Sequence, residues 1–203
     1  MSPGDIDRFF TLLSKRVDLS IKVILTGGGA GILEGVTRAT QDLDFQVTFN
    51  KESSRNADMF QAAIDATVKE TGIAAQYDSA IESWSSISWP QSEPRSRRYR
   101  RFGSIDVHIL DPLWWSVGKL ARYLASDISD LVVVLKTMRT QPKEAVKAWG
   151  QALGRSPLSS AQPIFKRQVL NFLKENAKTI WGPKADPAHL SDLFISTARK
   201  THR

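Results

Sequence analysis

The chain has 203 residues, 41% hydrophobic and 24% charged, enough for one domain with a sizeable core or two small lobes, and its ordinary composition sets disorder aside. Its formal charge of +7 favours polyanions such as RNA, and nucleotides or acidic proteins equally. With no cysteine it can form neither disulfides nor thiolate metal sites, and His108, His189 and His202 are too scattered for zinc.

The N-terminal Met1-Ser2-Pro3-Gly4-Asp5 lacks the basic and apolar regions of a signal peptide, and no apolar run approaches the ~18 residues of a membrane span, so a cytoplasmic protein is expected. Ile6, Phe9, Phe10, Leu12 and Leu13 give Asp5–Arg16 a helical stripe. Ile21–Leu25 reads as a strand ending at Gly27-Gly28-Gly29, with a short helix over Ala30–Val36. From Asp42 to Phe49 the pattern alternates: Leu43, Phe45, Val47 and Phe49 point one way, and Asp42, Asp44, Gln46 and Thr48 the other. Ser54–Thr71 predicts a helix, followed by two weaker strands near Ile73–Tyr77 and Ile81–Ile87 and a loop at Pro90–Pro94. Ile105–Ile109 is the last clear strand, with Asp106 and His108 on its polar face. After Asp111-Pro112 only helices are predicted: Leu113–Ala125, Ile128–Met138, Lys143–Leu153, Pro163–Lys178 and Pro187–Ala198. The fold class is therefore α/β (α+β): a lobe with a mixed sheet over residues 1–111, then an all-α helical lobe over 112–203.

A glycine turn between a strand and a helix lets backbone amides approach phosphates. Magnesium takes oxygen ligands from one or two carboxylates plus substrate phosphates. Asp42 and Asp44, two apart on a strand, share a face, and Asp106 can join them if its strand is a neighbour. Three carboxylates around magnesium would orient a triphosphate and activate an attacking hydroxyl. Aspartates at strand ends also cap turns, and glycine pairs also merely make them, so it is their conjunction that points to a metal-dependent nucleotide site. Walker A is absent because no Gly-Lys-Ser/Thr follows Gly31, and the glycine spacing misses the dinucleotide fingerprint. No Gly-x-Ser-x-Gly and no cysteine argue against covalent hydrolysis.

Gly27-Gly28, thirteen residues, then Asp42-Leu43-Asp44 resembles the signature of the DNA polymerase β-type nucleotidyltransferase superfamily. With Ala30, Arg38 and Thr40 in place, it looks most like the minimal bacterial branch that includes the AbiEii-like toxins of toxin–antitoxin systems. Asp111-Pro112-Leu113, Lys119-Leu120-Ala121 and Asp127-Ile128-Ser129-Asp130-Leu131 extend the likeness into the helices. The resemblance covers about Leu25 to Leu131 and departs at the third glycine and at Ser126. It implies an α/β catalytic lobe and a helical lobe with the nucleotide in a cleft between them. By position it implies phosphate binding at Gly27 and Gly28, metal binding at Asp42, Asp44 and Asp106, a phosphate-contacting lysine at Lys119 and an acidic position completing the site at Asp130.

Read without the family, Lys119, Arg122 and Tyr123 share one helix surface, either facing a triphosphate or simply solvated, while Asp127 and Asp130 serve the next helix as a cap and a first-turn acid. Arg95, Arg97, Arg98, Arg100 and Arg101 can contact phosphates with Tyr99 stacking on a base, or can guard an edge strand. The tryptophans at 114, 115, 149 and 181 are assigned to packing, and His108 to a polar position near Asp106. The resulting expectation is an Mg²⁺-dependent transfer of NMP from an NTP to a hydroxyl of tRNA or protein. Asp106 would help deprotonate the acceptor, and a toxin role would bring a cognate antitoxin. The alternatives are a small-molecule (antibiotic-type) acceptor, or a non-catalytic nucleotide- or RNA-binding module.

Overall fold

The computed structural model describes residues 1–49, 53–87 and 95–201, so the loop expected at Pro90–Pro94 lies outside the described residues. The chain packs as two units. One comprises Met1–Leu33, Thr37–Ile81 and Ser96–Leu110; the other comprises Glu34–Val36, Glu82–Arg95 and Asp111–Arg203. No helix among the described residues is long and apolar enough to cross a membrane.

The first unit is a mixed sheet with helices on one face. Helix α1 (Pro3–Ser14) begins in a capping box in which the Ser2 and Asp5 side chains each accept the other's backbone N–H. Strand β1 (Ile21–Thr26) leads into α2 (Gly27–Leu33), which starts at the glycines themselves rather than after them. Strand β2 (Asp42–Phe49) is followed by α3 (Ser54–Thr71), closed by Gly72 at φ 71°, and then by β3 (Ala74–Asp78). Strands β4 (Ser96–Phe102) and β5 (Ile105–Leu110) form a hairpin, with Gly103 supplying the positive φ of 54° its two-residue turn needs.

The sheet order is β3-β2-β1-β5-β4, with β1–β2 and β4–β5 antiparallel and β1–β5 and β2–β3 parallel. Residues opposite one another share a face. Val23, Leu25, Leu43, Phe45, Val107 and Ile109 therefore form one buried surface. Phe10 of α1 meets Phe45 and Phe102 at ring distances of 5.8 and 5.9 Å, and Phe60 of α3 meets Tyr77 at 5.0 Å. The other face carries Asp42, Asp44, Lys22, Thr26, Asp106 and His108. Gln46 lies on this second face yet is buried, unlike its expected polar exposure.

The strand expected at Ile81–Ile87 is a correction: Ile81–Trp84 is a 3₁₀ turn. Local polar groups end the sheet there. The Asp78 carboxylate accepts from Ala80 N at 3.1 Å, and Ser85 Oγ accepts from Ile87 N at 3.2 Å, which favours turns over a ladder.

The second unit is helical: α4 (Pro112–Arg122), α5 (Ala125–Thr137), α6 (Pro142–Arg155), α7 (Ala161–Trp181) and α8 (Pro187–Thr201). Trp149 anchors it. Its indole N–H donates to Ser116 Oγ at 2.7 Å, and its ring lies 5.9 Å from Phe172 and 6.4 Å from Trp181. Helices α6 and α8 touch at Gly150, where an added Cβ would stand 2.8 Å from Thr197 Cβ and 2.9 Å from the Phe194 carbonyl oxygen.

Candidate functional site

Antiparallel pairing of β1 with β2 sets Thr26 opposite Asp44, so the glycine turn leaving β1 meets the aspartate end of β2. Gly27 has φ 57°, and a Cβ on it would fall 2.1 Å from Asp44 Oδ2. A Cβ on Gly28 would fall 2.4 Å from Thr40 Oγ1, and one on Gly29 would fall 2.8 Å from Leu43 Cδ2. Each glycine is thus held by a neighbour, including the third one, which departs from the resembled motif. The Thr40 hydroxyl donates to Asp42 Oδ1 at 3.0 Å. Asp42 is exposed and Asp44 half-buried, so this corner presents two carboxylates on one face beside a turn without side chains.

Asp106 is not brought to this corner. It sits opposite Lys22, four β1 residues from Thr26 and on the far side of β1 from Asp44. At about 3.3 Å per residue that is roughly 13 Å along the strand, plus two strand spacings of about 4.8 Å. The β5 residue level with Asp44 is instead the buried Leu110. Asp106 has other partners: Arg98 Nε donates to it at 2.8 Å, and His108 Nε2 lies 3.5 Å from its second oxygen. His108 Nδ1 is 3.4 Å from Ser96 Oγ. Among the described residues, no group of three or more His, Asp or Glu side chains is placed to hold a metal.

The arginine run forms the outer strand β4 and divides between faces. Arg98 and Arg101 oppose His108 and Asp106, Arg97 and Arg100 oppose Ile109 and Val107, and a bulge at Tyr99 separates Arg98 from Arg100. Arg100 Nη1 and the Tyr99 hydroxyl both donate to Asp7, at 2.5 and 2.8 Å. Arg95 belongs to the helical unit, its guanidinium 4.4 Å from the Trp114 ring centre.

In the helical unit, Lys119 and Asp130 do meet, but as a buried ion cluster. Lys119 Nζ donates to Asp127 Oδ1 at 3.0 Å and Asp130 Oδ2 at 2.8 Å, and it is only 3% exposed. Arg122 grips Asp127 with two hydrogen bonds of 2.8 and 2.6 Å. Burial alone pushes the Asp127 carboxyl up, and the hydrogen bonds and charges of Arg122 and Lys119 overcome it, holding the group below its ordinary value. Asp127 is therefore more than a cap: it lies in the first turn of α5, where Leu124 is the cap, and accepts from Leu124 N–H at 3.3 Å while joining two helices. The sequence signal for this was present, since two cations at i, i+3 precede two acids at i, i+3.

No family model, curated protein or solved structure matches this chain.

The Gly27–Asp44 corner offers only hard oxygen donors, which suits magnesium held by one or two carboxylates with substrate phosphates supplying the rest. Helix α2 spans seven residues and adds little dipole, so any affinity for phosphate rests on close backbone approach and the metal. Lys119 is already paired with two buried aspartates, whose charge it balances together with Arg122, which assigns it a structural task in this conformation.

Proposed function

We propose that the chain binds a nucleoside triphosphate with magnesium at the Gly27–Asp44 corner and transfers its NMP to a hydroxyl acceptor, the new bond at the α-phosphorus replacing the α–β phosphoanhydride so that pyrophosphate and the hydroxyl proton are released. The observation that carries this reading is the packing of Gly27 against Asp44, where no side chain longer than hydrogen fits. A bare backbone turn in contact with one aspartate of a same-face pair is what supports a phosphate–metal site here. Asp42 and Asp44 would hold the ion, Thr40 steadies Asp42, and Gly27 and Gly28, whose side-chain space is taken by Asp44 and Thr40, would offer phosphate only their backbone amides. The bound ion would neutralise phosphate charge and polarise the reacting centre. Asp106 is given no metal role, and the acceptor's proton is left to a group other than Asp106. RNA is the favoured acceptor class, because residues 111–203 hold 15 Lys and Arg against 7 Asp and Glu. A toxin role with a cognate antitoxin belongs to the same proposal and rests on the sequence resemblance.

The test is label transfer from each α-labelled NTP with magnesium, with and without total tRNA, beside the Asp42→Asn/Asp44→Asn double variant. Label appearing on RNA or protein, and lost in the double variant, is the expected result. Asp106→Asn should leave most of the transfer in place. The remoteness of Asp106 favours a second reading, a nucleotide-binding module without catalysis; magnesium-dependent nucleotide binding with no transfer to any acceptor would select it.

A further inference from the structure

Helices α6, α7 and α8 line an open cleft of about 320 Å³ that the nucleotide reading does not use. Its walls are mostly apolar, with Pro163 from α7 and Phe194, Ile195 and Ala198 from α8. Two exposed cations complete it, Lys166 one turn beyond Pro163 and Arg199 one turn beyond Ile195. Neither is ion-paired among the described residues. Gln162, also on the wall, is occupied: its amide donates to the Ser156 and Leu153 carbonyls, tying the α6–α7 connection in place.

We infer that this cleft is a binding site for a small amphiphilic anion, an apolar chain or ring bearing one carboxylate, with the head held by Lys166 and Arg199. Its size falls at the lower end of small-ligand sites, roughly 300–1,000 Å³, and an apolar lining with a few convergent polar groups is the anatomy of such sites. A docked protein segment needs a wider apolar platform, on the order of 800 Å² per partner. The surroundings do not provide one. Ile164, exposed on α7, sits two residues from both Gln162 and Lys166, about 160–200° round the helix from those wall positions. Leu158 alone, on the α6–α7 connection, adds exposed apolar surface. Head-group charge is set by the walls: two cations and no carboxylate line the cleft. The site lies within the helical unit and does not depend on the nucleotidyl-transfer reading.

The test is calorimetric titration of the full chain with decanoate, below its micelle concentration, beside decyltrimethylammonium and acetate. One equivalent of decanoate should bind, with acetate and the cationic amphiphile at least about tenfold weaker, which is about 1.4 kcal/mol. Lys166→Glu and Arg199→Glu, both surface changes, should each weaken decanoate by a similar factor, and Ala198→Trp should abolish it by filling the cleft. Urea unfolding of each variant checks that the helical unit stays folded; a filled variant that unfolds is replaced by Ile195→Trp. Equal binding of the cationic amphiphile, multiple weak equivalents, or indifference to charge reversal would overturn the proposal. An acidic amphipathic peptide that binds at these residues where decanoate does not would overturn it in favour of a protein partner.

Discussion

Gly27 is constrained twice, by a positive φ of 57° and by the Asp44 oxygen that fills the space a Cβ would take. Alanine there must either hold the left-handed conformation, at a cost of about 1–2 kcal/mol and with the carboxylate displaced, or shift the backbone out of it. Gly27→Ala is therefore expected to lose about that much stability in urea unfolding and to lose magnesium-dependent nucleotide binding; unchanged stability would remove the close-approach argument. Lys119 makes a different demand, because truncating it takes a buried ammonium away from both Asp127, which keeps Arg122, and Asp130. Lys119→Met should destabilise the protein by about 3–5 kcal/mol, the range for removing one partner of a buried ion cluster, whether or not nucleotide is present. If stability hardly changes while transfer collapses, Lys119 acts on substrate instead. Asp127 adds a pH signature. Its folded carboxyl lies below the unfolded value near 3.8, so its contribution is complete above that pH and is lost as pH falls through the lower, folded value. Unfolding free energies of the parent protein and Asp127→Asn, measured from pH 7 downward, should differ by a constant amount at neutral pH and converge in the acid range below about pH 4.

At the scale of elements, alternation decides what each strand can present. Leu43, Phe45 and Val47 announce a covered face, and the register turns that face toward Phe10 and Phe60. The same alternation separates the arginines of β4, so a run that is continuous in sequence is not one patch in space. The lobed α/β-then-helical organisation and the Gly27–Asp44 corner were legible because both rest on local patterns: periodicity, and a turn placed beside its neighbouring strand. The placement of Asp106 was not, because it depends on register across β1, and a polar residue at alternating positions looks the same at either end of a strand. The buried charge of Lys119 was hidden likewise, since a lysine on a helix reads as solvated until the facing aspartates are known. Gly150 gave no signal at all; only the approach of α8 shows its use. Alanine is worth about 1 kcal/mol over glycine within a helix, so Gly150→Ala would stabilise an isolated α6. Here the Cβ meets Thr197 Cβ and a backbone oxygen within 3 Å, and neither can swing aside. A net loss of about 1–3 kcal/mol is expected from such overpacking, and a gain in thermal stability would show that the α6–α8 contact is looser than described.

For the molecule as a whole, the charge is unevenly shared. Residues 1–110 hold 13 Lys and Arg against 14 Asp and Glu, and residues 111–203 hold 15 against 7, so the entire positive excess belongs to the C-terminal half despite the arginine run in the N-terminal one. Within that half, Asp127 and Asp130 are consumed by Lys119 and Arg122, and the remaining cations include the exposed Lys166, Arg167, Lys174 and Lys178 along α7. Phosphate contacts by such residues raise affinity through counterion release without reading sequence, and each contact removed lowers the salt slope by about 0.7 for a single strand. On β4, by contrast, Arg98 and Arg100 are engaged with Asp106 and Asp7, and freeing them for phosphate gives up those bonds. If RNA is the acceptor, Lys174→Glu/Lys178→Glu should weaken its binding more than Arg98→Ala/Arg100→Ala does, and should reduce the dependence on salt. Fluorescence anisotropy of a labelled RNA across a salt series measures both quantities together. Affinity that falls mainly with the β4 pair would move the acceptor's contact to the sheet edge, and affinity indifferent to both pairs and to salt would remove RNA as the favoured acceptor.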